Sequence, residues 1–395
     1  MDVSALASTP ASPSPRSVAS LHAYAHVPGR PRLALLGTGT VGSAFVARYQ
    51  RLHDDGKALP LLHLLVNARG QLHCNDAAPE SLRAAIALPR RDDIRDPDLA
   101  ALVPGDIVVD ATASEAIAVR HPQWLASGLN VVTANKRGIG GDLGCAQAIA
   151  RLRGPATQYG DSATVGAGLP LLRSIRALVA GGDRIHAVEG LLSGSMGWLF
   201  DRYDGMRPFS GFVREAMAAG YTEPDPRVDL GGEDVMRKLL ILARAAGIAL
   251  QESDVRVESL MPARLAIASP DAVDAGLASL DAPLRRRYQR AWSEGARLRF
   301  VGGFEREQSG GWRASVGLRA LPVAHPLCSG SGTDNRVAIH SCRYRTQPLV
   351  IQGPGAGAEV TAAALLDDVL SIAGASPARG YGDNAAAPGT SSAER

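Results

Sequence analysis

Long apolar runs are missing from this sequence, and none reaches the length of a membrane-spanning helix. Cysteine is scarce. Cys74, Cys145, Cys328 and Cys342 form no CxxC pair and no disulfide-like rhythm, which fits reduced thiols in a reducing, cytoplasmic compartment. Charge of one sign is not in excess either: the net charge is +3 and the basic residues are scattered, which argues against a dedicated nucleic-acid surface. Residues 1–30 are rich in Ser, Ala and Pro but lack the apolar core of a secretory signal, so they read as a disordered leader. Residues 376–395 share that character and read as a disordered tail. What remains is an ordinary soluble balance, 46% apolar and 21% charged, in a chain of 395 residues that is long enough for two or more cores.

The first informative stretch is RLALLGTGTVGSAFVARYQRLH, residues 32–53. The apolar run Leu33–Leu36 meets Gly37-x-Gly39-x-x-Gly42, followed by an amphipathic helix carrying Val41, Phe45, Val46 and Tyr49. In this order Gly37 permits a tight turn, Gly39 admits a pyrophosphate to the backbone, and Gly42 brings helix close to strand. The helix N-terminus then offers N–H groups and a positive dipole end to phosphate. A second strand is expected over Leu61–Val66. Where an NAD-selective site carries a carboxylate, this chain reads Asn67-Ala68-Arg69, which leans toward NADP; the alternative for Arg69 is a solvated loop arginine.

A helix is expected near Ser81–Ala87 and another over Glu115–Ala126, with strands at Asp106–Ala111 and Asn130–Thr133. Such alternation predicts an α/β fold with a parallel, doubly wound sheet whose ligand lies at the carboxyl ends of the strands. Thr112, Ser114, Thr133 and Lys136 all fall at such ends. Lys136 can reach both cofactor and substrate from there, or be a plain surface lysine. After a helix at Cys145–Leu152 comes TVGAGLP, residues 164–170, a glycine-dense turn before a helix at Leu171–Val179. It suits close approach to a ligand, carbonyls turned toward a cation, or a hinge. A strand at Ala187–Leu192 leads to Ser193-Gly194-Ser195, whose hydroxyls face a pocket or cap a helix beginning near Trp198. Farther on, Arg256–Gly303 reads as helical, with Leu284–Arg299 amphipathic. Paired strands follow at Phe300–Phe304 and Trp312–Leu318, then strands at Val337–His340 and Leu349–Gln352. A second glycine turn, from Gly353, opens a last helix that can return over the cofactor.

The chemistry concentrates in Gly220–Lys238, GYTEPDPRVDLGGEDVMRK. Gly220 suits the left-handed residue closing the run Phe212–Ala219. Pro224 and Pro226 bias the chain toward extended structure, and a new helix is expected near Glu233. On it Asp234 and Lys238 lie four apart on one face, beside the stripe Val235, Leu239, Leu242 and Ala246. Spacing alone leaves two readings open: an ordinary surface ion pair, or a lysine held among carboxylates to serve a reacting oxygen.

With GTGTVG, TANK at 133–136, ATVGAGLP, LLSGS, GYTEPDPR, EDVMRKLLILAR and GPGAGAEVTAA in this order, the chain resembles homoserine dehydrogenases from about Arg32 to Ala373, in particular the dehydrogenase part of bifunctional aspartate kinase–homoserine dehydrogenases. The resemblance implies a Rossmann-type nucleotide-binding domain at 31–157 and an α+β catalytic and dimerisation domain at 158–340. A segment at 341–375 would return to the first domain. The implied reaction is the NAD(P)-dependent interconversion of L-homoserine and L-aspartate 4-semialdehyde, on the route to threonine, methionine and isoleucine, in a homodimer. Lys238 takes the role of proton donor with Lys136 as its partner. Glu223, Asp229, Asp234, Gly220 and Ser195 become the substrate contacts. Thr38, Gly39, Val41, Thr112, Ser114, Thr133 and Gly357 become cofactor contacts. The carbonyls of Val165, Ala167 and Leu169 would hold a monovalent cation, Na+ or K+, although Ser162 stands at the family's glutamate position. Val228 stands where the family often has a second aspartate.

Two other readings meet obstacles in the sequence. A phosphorylating semialdehyde dehydrogenase needs a nucleophilic cysteine beside a base, and none of the four cysteines sits in a strand-to-helix nucleophile turn. A non-enzymatic NADP sensor would not need Lys136, Glu223, Asp234 and Lys238 together.

Overall fold

The computed structural model describes residues 30–74, 78–89, 97–330 and 332–375. Apart from Arg30, the expected leader and tail lie outside these residues. Two six-stranded sheets organise the described chain. The first contains β1 (Arg32–Leu36), β2 (Leu61–Asn67), β3 (Gly70–His73), β4 (Ile107–Asp110), β5 (Asn130–Thr133) and β6 (Tyr159–Gly160). Its order is β3-β2-β1-β4-β5-β6. All its pairs are parallel except β2–β3, an antiparallel pair whose second strand was not expected. The two strands are joined across Asn67–Gly70, too short a link for the crossover that parallel pairing requires.

Strand residues alternate between two cores. Leu33, Leu35, Ile107, Val109 and Val132 pack with Phe45 and Tyr49 of the helix Thr40–Asp54 and with Leu365 and Val369 of the last helix, Ala358–Ala375. Ala34, Leu36, Val108 and Val131 face a second core, which runs on through Trp124 and Ile149 into the rest of the molecule. Burial on both faces is why these strands read as continuous apolar runs. The last helix thus packs against the first sheet and the helix Thr40–Asp54.

The second sheet holds β7 (Ile185–Leu191), β8 (Val255–Val257), β9 (Ala296–Arg306), β10 (Trp312–Pro322), β11 (Asp334–Ser341) and β12 (Leu349–Pro354), in the order β12-β11-β7-β9-β10-β8. Only the edge pair β8–β10 is parallel. The helix Glu233–Ala245 packs on this sheet, where Val235, Leu239 and Leu242 share a core with Phe300, Phe304 and Val316. Gly302 admits it closely, since a Cβ there would lie 2.8 Å from Val235 Cγ1.

Several local expectations need correction. The helix expected over Glu115–Ala126 is two helices, Glu115–Ala118 and His121–Ala126, because Pro122 has no N–H and disfavours helical backbone just before it. The helix expected near Trp198 begins at Gly194, with Ser193 Oγ accepting from Met196 N–H as its cap. Asp225 is extended, as Pro226 after it dictates, but a short helix that was not expected follows at once, Pro226–Gly231, with Pro226 in its first turn and Asp225 accepting from Arg227 N–H. The charged stretch opens at β8 rather than as helix. Its amphipathic helix spans Asp281–Ser293; Gly295 (φ +65°) ends it, so Ala296–Arg299 already belong to β9.

Candidate active site

The carboxyl ends of β1, β4 and β5 are level, with Leu36 beside Asp110 and Asp110 beside Thr133. The glycine turn leaves β1 at this edge. Gly37 adopts φ +97°, and a Cβ there would lie 2.9 Å from Ala111 O. A Cβ on Gly42 would lie 1.9 Å from Gly37 O, so only glycine lets the helix pack onto its own turn. Gly39 differs from both. Its φ of −76° is open to any residue, yet among the described residues nothing beyond its chain neighbours lies within 4 Å of where its Cβ would be. It caps the helix Thr40–Asp54 without a side-chain hydrogen bond, leaving Val41 in a first turn whose N–H groups can meet an anion. These residues fit a dinucleotide.

Around this turn Thr38 Oγ1 accepts from Asn67 Nδ2 at 2.9 Å, which secures the end of β2. Arg69 is exposed in the β2–β3 turn, its N–H on Asn67 Oδ1 at 2.8 Å. Thr112 and Ser114 lie just beyond β4, and Thr133 Oγ1 donates to Asp110 O at 3.2 Å. Gly357, at φ +127°, opens the last helix.

The second half of the site is built by two helices in close contact. Helix Arg137–Gly140 begins at Lys136 beyond β5, and Gly140 has no room for a Cβ, which would lie 2.9 Å from Arg237 O. Arg244 fastens this contact: its Nη1 donates to Gly141 O at 2.8 Å and also to Ile139 O. Lys136 and Lys238 consequently meet on one carboxylate. Lys238 Nζ lies 2.7 Å from Asp234 Oδ2, and Lys136 Nζ lies 3.5 Å from Asp234 Oδ1. Lys238 also donates to Leu192 O at 2.7 Å and is only 9% exposed.

Asp229 forms the neighbouring group. It accepts from Ser195 Oγ at 2.6 Å and from Glu223 N–H at 2.9 Å, and Ser193 Oγ stands 2.9 Å from Ser195 Oγ. Gly220 ends the helix Phe209–Ala218 at φ +70°. Its N–H bonds to Met217 O and that of Tyr221 to Ala216 O, the paired bonds of a left-handed helix stop. Glu223 is exposed, and so is Val228, at 52%. Among the described residues Thr222 Oγ1 has no hydrogen-bond partner, although it is buried. The two aspartates differ electrostatically. Burial pushes Asp234 upward, but the ammonium groups of Lys238 and Lys136 outweigh it and hold the carboxyl at about 2. Burial raises Asp229 above its ordinary range; Ser195 and the Glu223 N–H offset part of this, and the charge of Asp234 adds to it.

The turn carrying Val165, Ala167 and Leu169 is strained, with Ala167 at φ +51° after Gly166 at +73°. Leu169 O accepts from Leu171 N–H at 2.8 Å. Ser162 puts no charge beside the turn. Its N–H and hydroxyl both donate to Asp368 of the last helix, at 2.9 and 2.8 Å. Among the described residues no group of three or more His, Cys, Asp or Glu is placed to hold a metal ion.

Sequence reasoning did not single out Asp110, Asn135 and Arg244. Asp110 ends an otherwise apolar strand, a signal that was available; Arg244 has no local signature. No helix among the described residues is long and apolar enough to cross a membrane.

Comparison with known proteins agrees along the chain. Residues 37–154 match the family model for the NAD binding domain of homoserine dehydrogenase, and residues 170–370 match the homoserine dehydrogenase model. The chain is 34% identical to the homoserine dehydrogenase of Saccharomyces cerevisiae over 355 residues, covering 86% of this chain and 97% of that one. It is 42% identical over 272 residues to bifunctional aspartokinase/homoserine dehydrogenase 2 of Zea mays, matching 68% of this chain but only 29% of that much longer protein. A crystal structure of a Candida auris protein of unknown function superposes with a TM-score of 0.76 at 33% identity, covering 87% of this chain and 98% of that one.

Proposed function

We propose that this chain, which belongs to the homoserine dehydrogenase family, catalyses the reversible oxidation of L-homoserine to L-aspartate 4-semialdehyde with NAD(P) as hydride acceptor. The observation that carries the reading is the meeting of Lys136 and Lys238 on the two oxygens of Asp234. When bound, the nicotinamide supplies or accepts the hydride at the carbon bearing the reacting oxygen. An aldehyde oxygen gains negative charge as it is reduced, and Lys238 donates the proton that completes the alcohol. In the other direction Lys238 takes that proton. Lys136 adds a second positive charge from the opposite side, and Asp234 keeps the two ammonium groups from repelling each other apart. Glu223 and Asp229 offer negative charge to the substrate's α-ammonium, with Ser195 orienting Asp229.

For the cofactor, Gly37, Gly39 and Gly42 give the pyrophosphate its approach, and Arg69 beside the carboxylate-free end of β2 supports NADP over NAD. A monovalent cation held by Val165, Ala167 and Leu169 belongs to the same reading, with the negative charge nearest Ser162 coming from Asp368. We read residues 31–157 as the nucleotide-binding part, 158–340 as the catalytic part and 341–375 as the returning segment, in a cytoplasmic homodimer. The test is spectrophotometric: NADPH formation at 340 nm with L-homoserine as the sole reductant, repeated with NAD and with Na+ or K+ withdrawn. Turnover that depends on L-homoserine supports the reading; none with either cofactor overturns it.

A further inference from the structure

Behind the level edge of β4 and β5 runs a line of buried polar side chains that the chemistry above does not use. Asp110 and His121 are fully buried and Tyr159 is 3% exposed. Asp110 Oδ1 accepts from the N–H and the hydroxyl of Thr112, at 2.9 and 2.6 Å. Asp110 Oδ2 accepts from Asn135 Nδ2 at 3.0 Å and lies 3.0 Å from His121 Nε2. At the far side His121 Nδ1 is 2.9 Å from the Tyr159 hydroxyl. Burial, reinforced by Asp161 and Asp110, pushes the Tyr159 phenol well above its usual range, so it remains a hydrogen-bond donor. A phenol donating to Nδ1 leaves Nε2 to carry the imidazole proton and to donate it to Asp110. Four donors thus converge on one carboxylate and fix it in place.

Asp110 grips both lips of the proposed cofactor site. Thr112 belongs to the loop after β4, and Asn135 directly precedes Lys136. Asn135 extends the grip: its Nδ2 also donates to Ser114 O at 2.8 Å, and its Oδ1 accepts from Arg137 N–H at 3.1 Å. A second path leads to the same place. A Cβ on Gly138 would lie 2.8 Å from the Tyr159 hydroxyl and 2.9 Å from His121 Nδ1, so the helix starting at Lys136 rests directly on the histidine–tyrosine pair.

We propose that Asp110, oriented from behind by His121 and Tyr159, is the positioning residue that sets Lys136 and Thr112 in place for the reaction. The proposal rests on the dehydrogenase reading of the site. Its effect should appear in the chemical step and at the cofactor, and spare the substrate's amino-acid end, which is held by Glu223 and Asp229.

Asp110→Asn, His121→Phe and Tyr159→Phe in the full chain test it, with Ser341→Ala as a control. Ser341, at the end of β11 in the other sheet, is equally buried and donates to Asp183, just before β7, at 2.8 Å. The measurements are kcat, KM for L-homoserine, NADPH affinity by fluorescence quenching, and melting temperature. Misplacement of a reacting group by about 1 Å costs on the order of 100-fold, so graded losses of kcat are expected: about 30-fold for Asp110→Asn, about tenfold for His121→Phe and about threefold for Tyr159→Phe. NADPH affinity should weaken about threefold in His121→Phe while KM for L-homoserine moves by less than about twofold. The control should lower only the melting temperature. Folded His121→Phe and Tyr159→Phe proteins with unchanged kcat overturn the proposal, as do losses that track melting temperature in the control as well. Should Asp110→Asn fail to fold, the other two variants decide. If the unmodified protein does not oxidise L-homoserine, the dehydrogenase reading fails instead, and unaltered NADPH affinity in His121→Phe then overturns the positioning role on its own.

Discussion

The two halves of the candidate site are made of different material. At the glycine turn the working parts are backbone: a left-handed Gly37, a Gly42 pressed against its own turn, and free N–H groups at the start of a helix. At the lysine end they are side chains, brought from the start of the helix beyond β5 and from the helix packed on the second sheet onto one carboxylate, where Arg244 clamps Ile139 and Gly141. Backbone geometry depends on the absence of side chains, so it writes itself into spacing. Convergence of charge depends on how distant elements pack: the Asp234–Lys238 pair is legible four residues apart, but the arrival of Lys136 is not.

If the two ends work separately, single substitutions should divide cleanly between them. The largest effect is expected for Lys238→Ala, which removes the proposed proton donor and leaves Asp234 with Lys136. Its kcat should fall about 1,000-fold, within the usual range for a general acid, with NADPH affinity unchanged. A matching loss of NADPH affinity, read by fluorescence titration, would dissolve the comparison. Gly42→Val comes next and should do the reverse. A Cβ 1.9 Å from a carbonyl oxygen forces the backbone apart, costing about 2 kcal/mol or more of stability and abolishing most NADPH binding. A variant that melts normally and binds NADPH normally would show that the turn is not built as described.

Asp229→Asn sharpens the contrast within the lysine end. The folded pKa of Asp229 is raised, so its contribution to stability is present below the unfolded value of about 3.9 and is lost as pH rises through the folded value. At pH 7 its charge therefore costs stability, and Asn should raise the melting temperature by about 2 °C there but not at pH 3, while raising KM for L-homoserine about tenfold. Asp234 has the opposite sign. Held at about 2, it contributes stability above about 3.9 that is lost as pH falls toward 2, an effect softened by its 43% side-chain exposure. Asp234→Asn should flatten that acid limb in a pH series of melting curves. The smallest effect is expected for Arg69→Ala: NADP affinity should drop about fivefold relative to NAD, since an exposed arginine gains little from a screened phosphate. Equal losses for both cofactors would leave Arg69 without a role in selecting between them.

Much of the first sheet was legible because strands buried on both faces and glycines at fixed offsets are local signals. Leu33–Leu36, Asn130–Thr133 and the Gly37–Gly42 spacing fall where expected. Gly220 and the start of the helix at Glu233 were equally readable from turn chemistry. The hairpin partner β3, the split at Pro122 and the helix at Pro226 were not, since each turns on one residue's backbone preference within an otherwise misleading pattern. The supports of the site were harder still. Ser162 meets Asp368 across 206 positions, and Arg244 reaches Gly141 across 103. Periodicity reports neighbours one helical turn away and is blind at such range.

Gly39 has an implication of its own. Its φ suits any amino acid, and among the described residues no atom beyond its chain neighbours lies within 4 Å of the missing side chain. The fold would accept alanine or serine at position 39, so nothing inside the polypeptide explains its bareness. On the proposed reading that single hydrogen is a gap kept clear for a visiting molecule, whereas the neighbouring Gly37 and Gly42 are demanded by the fold as well.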